Sequence, residues 1–383
     1  MKIWLLTWNT EIMAANTGNT GLDLNGMINA AGVNAPDLII TAQQEAIGPF
    51  IEDVPLTGYG KVTSSDIKGK TKGTCHTHLG VMVKNPMTVN TTPSNVKFYA
   101  YEGGYGKGLK TVGTNLSTGG LNVKGGAMAE LTIGGKTIGL CSAHLDADGG
   151  SPKTKQIDRT LASLFLGRKI NSSEHANAPT IAAGLMNARN ALPRYDAVFY
   201  LGDLNYRIGT VTEPTNDVVT QLSAANIKTI LTGGNVSGID LARLKSFDLN
   251  PHSSLVTTYG FTLPHYDTRD FPTYKLNYKA DDGNNGTLTN GKADVQSSLD
   301  KIFRFVRGGT RPRQALPGDF DKVYLNHLGN KIWNTKRGVY DMGWLDRVGY
   351  KTRTGTTVTV SEYGPIPFVL SDHLPVLMKV DLA

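Results

Sequence analysis

A chain of 383 residues and 41.2 kDa, 39% hydrophobic and 19% charged, is long enough to bury a sizeable core and too apolar to be disordered. No run of about 18 apolar residues occurs, which argues against a transmembrane helix. The net charge of +7 suits an anionic partner such as a phosphorylated small molecule, an acidic lipid surface or nucleic acid, although over this length it also simply aids solubility.

In chain order, "KIWLLTWN" (2–9) reads as a buried strand, because Trp8, Asn9 and Glu11 stand where a signal peptide would carry small residues. Further strands follow at "DLIITAQQE" (37–45), "LGVMVK" (79–84), "GAMAELTI" (126–133) and "KTIGLCSAHL" (136–145), each bounded by turn-forming residues. Between Pro152 and Asn190 the period becomes helical. Ile157, Leu161, Leu164 and Phe165 share one face, and Ala182, Leu185, Met186 and Ala188 predict a second helix after Pro179. Strands return at "AVFYLGDLN" (197–205), "KIFRFV" (301–306) and "PVLMKVDL" (375–382). Segments 281–290 and 308–317, rich in Gly, Asn, Pro and Thr, read as loops, so 279–335 is expected to be a loop-rich insertion in one domain spanning 1–383. Many strands with few helices predict α/β layers. Cys75 and Cys141 read as reduced thiols, since a chain of this size needs no disulfide staple.

The strands end in polar residues, and chemistry would collect there. They are Asn9, Glu45, His144, Asp203 with Asn205, Asp346, and Asp372 with His373. Taken singly, each has a plain structural reading as a turn former, a helix cap or a satisfied core histidine. As a set they are hard oxygen donors and two imidazoles without a cysteine pair, which suits hexacoordinate Mg²⁺ better than tetrahedral Zn²⁺. If strand geometry continues past Leu204, Asp203, Asn205 and Arg207 lie on one face. Neither a GxxxxGK[ST] loop nor a GxSxG elbow occurs, which points away from nucleotide-driven transfer and serine hydrolysis.

The order Trp8-Asn9, Gln44-Glu45, Ser142-x-His144-Leu145, Gly202-Asp203-x-Asn205 and Ser371-Asp372-His373-x-Pro375-Val376 resembles the endonuclease/exonuclease/phosphatase superfamily of metal-dependent phosphoesterases. "YDAVFYLGDLNYRI" (195–208), "FPTYK" (271–275), "GWLDRVGYK" (343–351) and "NVKGGAMAEL" (122–131) are similar to signature segments of its inositol polyphosphate 5-phosphatases. The motifs span nearly the whole chain.

The resemblance implies a two-sheet α/β sandwich with the sheets packed face to face, helices outside and the site at one rim. It implies that Asn9 and Glu45 hold Mg²⁺, with Asp372 nearby, and that Asp203 activates the attacking water with help from Asn205. His144 and His373 would contact the phosphate, Asp346 would hold the His373 imidazole, and water would displace the leaving group in line without a phosphoenzyme. Lys124, Tyr274, Lys275 and Arg347 would bind the other phosphates of an inositol ring, unless Arg347 only buttresses the site. Arg207 reads equally well as a neutraliser of the carboxylates.

Two departures bear on substrate choice. Before Trp344 the stretch is "TKRGVYDMGW", with Lys336 and Arg337 farther from the Trp than the family pattern has its basic residues, and Leu276–Thr335 is longer than usual. The implied function is Mg²⁺-dependent hydrolysis of the 5-phosphate of inositol polyphosphates or phosphoinositides such as phosphatidylinositol 4,5-bisphosphate. The alternatives are a nuclease on the same scaffold, against which the "TYK" and "WLDR" segments argue, and a catalytically dead phosphoinositide-binding module. A bare catalytic unit, monomeric by default, with peripheral contact to acidic membrane and action in its own cytoplasm or inside another cell, completes the expectations.

Overall fold

A computed structural model describes residues 1–10, 22–46, 50–68, 76–87, 89–90, 96–101, 124–145, 153–168, 172–185, 194–209, 222–267, 272–273, 333–334, 339–340, 343–366, 371 and 373–383. The strands are β1 (Lys2–Asn9), β2 (Leu38–Ala46), β3 (Tyr59–Lys68), β4 (His76–Lys84), β5 (Val89–Asn90), β6 (Val96–Tyr101), β7 (Lys124–Ile133), β8 (Lys136–His144), β9 (Ala197–Asp203), β10 (Trp333–Asn334), β11 (Val339–Tyr340), β12 (Asp346–Thr352), β13 (Val358–Pro365) and β14 (Val376–Leu382). The first sheet has the order β13-β14-β1-β2-β4-β3 and the second β12-β9-β8-β7-β5, with β6 also on β7; β10 and β11 pair separately. In each sheet one central pair is parallel, β1 with β2 and β8 with β9, so both are mixed.

Strand alternation explains why the sheets face each other. Ile3 and Leu5 of β1, Leu38, Ile40 and Ala42 of β2, Leu79 and Val81 of β4, Ile138 and Leu140 of β8, and Phe199 and Leu201 of β9 point inward and form one buried cluster between the sheets. The opposite face of the second sheet, with Cys141, Ala143 and Tyr200, packs on α2 (Lys153–Leu166), α3 (Ala178–Leu185) and α6 (Ser254–Thr257). Trp4, Leu6, Trp8 and Ile39 on the outside of the first sheet pack on α1 (Leu24–Ala31). Two further short helices among the described residues are α4 (Ala224–Leu231) and α5 (Leu241–Lys245). The architecture is the expected sandwich of two sheets with helices outside.

The region expected to be helical holds α2 and α3, with a 3₁₀ segment at Ser172–Asn177 between them, while Met186 and Ala188 of the expected second helix lie outside the described residues. The second helix starts one residue before Pro179, where Pro is tolerated because the first-turn N–H groups lack intrahelical partners. Strands β3, β5, β6, β10, β11, β12 and β13 were not among those expected. β12 ("DRVGYKT") is polar at both ends, and β13 ("VTVSEYGP") alternates on a half-exposed edge, so neither presents a continuous apolar run. The expected strand 301–306, the loops 281–290 and 308–317, most of the 279–335 insertion and Cys75 lie outside the described residues. Among the described residues no helix is long and apolar enough to cross a membrane.

Candidate active site

The site begins where inward-facing apolar rows run out. On β1 the inward series Ile3, Leu5, Thr7 continues to Asn9; on β8 Ile138, Leu140, Ser142 continues to His144; on β9 Ala197, Phe199, Leu201 continues to Asp203. Register sets these ends side by side. His144 is the Cα partner of Asp203 in the parallel pair, and Asp203 is that of Asp346 in the antiparallel pair with β12. Three polar side chains thus form a row across the rim of the second sheet, facing Asn9 on the first.

Asp203, 2% exposed, is the centre. Its Oδ2 accepts from Asn9 Nδ2 at 3.0 Å and lies 3.4 Å from His144 Nε2 and 4.0 Å from His373 Nε2. Its Oδ1 accepts the Asn205 backbone N–H at 3.0 Å.

Asn205 is held differently from the single strand face expected. β9 ends at Asp203, and Asn205 adopts φ +53, so the i, i+2, i+4 rule stops applying there. The Asp203 side chain closes a turn on the Asn205 N–H, and Asn205 Nδ2 donates to Leu145 O at 2.7 Å. The two groups remain neighbours through that turn. Arg207 lies beyond it, 7% exposed.

Glu45 reaches the cleft through a bulge. On β2, Leu38, Ile40, Ala42 and Gln44 face inward, so an undisturbed strand would turn Glu45 outward. Instead the register with β4 shifts between Gln43 and Ala46, and Glu45 sits at φ +51. An extra residue in the left-handed region re-aims a side chain, here placing Glu45 Oε1 3.6 Å from His144 Nε2 in the other sheet.

His373 is fixed at both ends. Its Nδ1 is 2.7 Å from Asp346 Oδ2, its carbonyl accepts from Trp8 Nε1 at 3.2 Å, and its N–H donates to Ser371 Oγ at 3.1 Å. Ser371 Oγ in turn donates to Asn9 O at 2.7 Å, tying this loop to β1. Burial pushes the Asp346 carboxyl above the ordinary carboxylate range; the His373 imidazole opposes this and the nearby Asp203 adds to it. Thr273 Oγ1 accepts the Asp346 N–H at 3.2 Å, and Thr273 O accepts the Leu374 N–H at 3.0 Å. Thr273, which sequence reasoning did not single out, therefore joins the two members of the imidazole–carboxylate pair, and the only signal for it was its place in "FPTYK".

Asn9, Glu45, His144, Asp203, Asn205, Asp346 and His373 are brought together. Arg347 is not, and its assignment to substrate is corrected. Alternation turns it away from Asp346, it is 0% exposed, and its guanidinium meets Asp248 Oδ2 at 3.1 Å and Pro264 O at 2.6 Å. A fully buried guanidinium engaged in this way cannot reach a phosphate, so it buttresses β12. Asp372, Tyr274, Lys275 and the side chain of Lys124 lie outside the described residues.

The donor set fits a small hard cation. Asn9 and Glu45 present oxygen atoms from adjacent strand ends of one sheet, since Asn9 is the Cα partner of Gln44. Among the described residues no group of three His, Cys, Asp or Glu side chains has the arrangement of a metal cage. One carboxylate and one amide oxygen supplemented by water is the coordination Mg²⁺ prefers.

Comparison with known proteins bears on the scaffold. The model of Endonuclease/Exonuclease/phosphatase family 2 matches residues 67–251, a stretch that includes His144, Asp203 and Asn205. No curated protein matches the chain. Among solved structures, a mutant of Cimex nitrophorin in its ferrous NO complex is 14% identical, covering 100% of this chain and 98% of that one at a TM-score of 0.50. The inositol polyphosphate 5-phosphatase domain of SPsynaptojanin, in complex with inositol (1,4)-bisphosphate and calcium ion, is 16% identical, covering 100% and 84% at 0.47. TDP2 of D. rerio, complexed with single strand DNA product, is 12% identical, covering 99% of each chain at 0.40. The chain is a two-sheet α/β sandwich that shares its fold with the nitrophorin structure, and over residues 67–251 its sequence is similar to Endonuclease/Exonuclease/phosphatase family 2.

Proposed function

We propose that the protein is a Mg²⁺-dependent phosphoric monoester hydrolase that removes the 5-phosphate of an inositol polyphosphate or of a phosphoinositide such as phosphatidylinositol 4,5-bisphosphate. Because one fold hosts unrelated functions, the proposal rests on the site rather than the scaffold. The observation that carries it is the Asp203 carboxylate, set between the His144 and His373 imidazoles with Asn9 and Asn205 as its donors. The "TYK" and "WLDR" segments support the choice of inositol phosphates over nucleic acid.

Asn9 and Glu45 hold the cation, with Asp372 adjacent in sequence to His373. When bound, Mg²⁺ neutralises charge that develops on the phosphoryl oxygens as the ester breaks. Asp203 accepts a proton from the water that attacks phosphorus, and the Asn205 N–H and Asn9 amide keep its lone pairs directed. In its imidazolium form His373 donates from Nδ1 to Asp346, which fixes the ring, and from Nε2 to the phosphoryl group. His144 Nε2 donates from the opposite side. Lys124, Tyr274 and Lys275 contact the remaining ring phosphates.

Phosphate release from phosphatidylinositol 4,5-bisphosphate, measured with Mg²⁺ and with chelator, tests the reading. Asp203→Asn keeps the side-chain shape and removes the base, so turnover should fall at least ~10²-fold with the fold unchanged. Metal-independent release, or nicking of supercoiled plasmid in place of phosphate release, would reject it.

A further inference from the structure

A second set of buried polar groups lies on the outer face of the first sheet, where the chemistry above does not use it. Glu52, 4% exposed, follows β2 in a 3₁₀ turn at Ile51–Asp53. Its Oε2 accepts from Thr41 Oγ1 at 3.0 Å and from Gln43 Nε2 at 3.2 Å, its Oε1 meets His78 Nε2, and Lys61 Nζ stands 3.9 Å from that oxygen. Phe50 covers the His78 ring, stacked at 3.6 Å between centroids. Gly80 makes the space, since a Cβ there would fall 2.3 Å from the Glu52 carboxyl carbon. Burying a carboxylate costs several kcal/mol before its partners repay it, and a turn that only covered the sheet could do so with an apolar residue.

The position of this carboxylate suggests what it does. Gln43 and His78 are the last regular Cα partners of β2 and β4 before the bulge that swings Glu45 into the cleft. The Gln43 side chain is held at both ends, its Nε2 by Glu52 and its Oε1 by the Ile51 N–H at 3.3 Å. On the other edge of β2, Thr10 N–H donates to Gln44 O at 2.9 Å. The chain is therefore anchored on both sides of Glu45: before it by the Gln43–His78 pair, after it by the return of the turn onto that same pair.

We propose that Glu52 is a positioning residue for metal binding: by clamping Gln43 and His78 beneath the bulge, it holds Glu45 in the left-handed conformation that aims its carboxylate at the cation. The inference rests on the phosphatase reading of the cleft. Partners that orient a metal ligand are typically worth about 10- to 100-fold in metal affinity.

The test is a titration of the full chain with Mn²⁺, following free Mn²⁺ by electron paramagnetic resonance, beside the Mg²⁺ dependence of phosphate release. Glu52→Gln should weaken Mn²⁺ binding about tenfold and raise the Mg²⁺ needed for half-maximal release in proportion, with turnover at saturating Mg²⁺ close to the parent. Gln43→Met, which keeps the volume and removes both contacts of the amide, should shift metal affinity the same way and serves if Glu52→Gln does not fold. Metal affinity within twofold of the parent in whichever variant folds, whatever the melting temperature, overturns the proposal. A parent protein that neither binds Mn²⁺ nor releases phosphate overturns the phosphatase reading and this inference together. A parent that does both, with variants unchanged, overturns this inference alone.

Discussion

Asp203 draws its properties from contacts with four separate segments, β1, β8, its own turn and the loop carrying His373. Asp203→Asn is accordingly the sharpest test of the proposed chemistry, because it removes the proposed base and leaves an isosteric side chain. Away from the cleft, His265 reports on the buttress behind β12. Burial, and then the Arg347 guanidinium, push its imidazole down from 6.5 to about 4, while Asp248, 3.7 Å away, opposes the shift. The unfolded chain takes up this proton as pH falls below 6.5 and the native state does not until about 4. Stability contributed by this group is thus present above pH 6.5 and lost as pH falls toward 4. His265→Gln should flatten that part of the dependence in urea unfolding at pH 7, 6 and 5; an unchanged slope would assign it to other groups.

The cleft is made by the way strands end. Gly202 shows how tight the construction is at this scale. It has φ +145, and a Cβ would fall 1.8 Å from Ala143 O on the neighbouring strand. Only glycine lets β9 approach β8 closely enough to set Asp203 beside His144. Gly202→Ala should cost on the order of 3 kcal/mol, read by thermal or urea unfolding, and lower activity by separating the two side chains. A destabilisation under about 0.5 kcal/mol would mean that the close approach is dispensable. Most core strands were legible because apolar runs with polar ends stand out. β12 and β13 were not, since strands half exposed or polar at both ends owe their place to pairing with β9 and β14. The single-face expectation for residues 203, 205 and 207 failed for a related reason: alternation holds only while pairing continues, and pairing stops at Asp203.

For the whole molecule, the buried cluster between the sheets draws on β1, β2, β4 and β14 of one and β7, β8, β9 and β12 of the other. Neither sheet can bury its inner face alone. Unfolding followed by far-ultraviolet circular dichroism and by Trp fluorescence should therefore give coincident transitions, since Trp4 and Trp8 lie on the first sheet and Trp344 packs in the shared cluster. Two separated transitions would show that the sheets hold independently. The same packing brings Asn9 and Glu45 of one sheet against Asp203 and His144 of the other, so losing the core would disperse the site.

By itself the sequence determined the layered class and several of the site's residue types, because both are written locally: periodic apolar runs mark the strands, and on β1, β8 and β9 the polar residue that ends the run marks the rim. It could not determine which of those residues meet. Asp203 and Asp346 are far apart in the chain and become Cα partners only through the register of β9 and β12. Arg347, next to Asp346, looked like a phosphate ligand, and alternation across the sheet buries it against Asp248 instead. Glu45 points inward only because of a bulge in its pairing with β4, and Glu52 joins Gln43 and His78 only once the turn folds back. These outcomes depend on long-range pairing, whose free energy exists only in the assembled sheets, and so only the tertiary structure decided them.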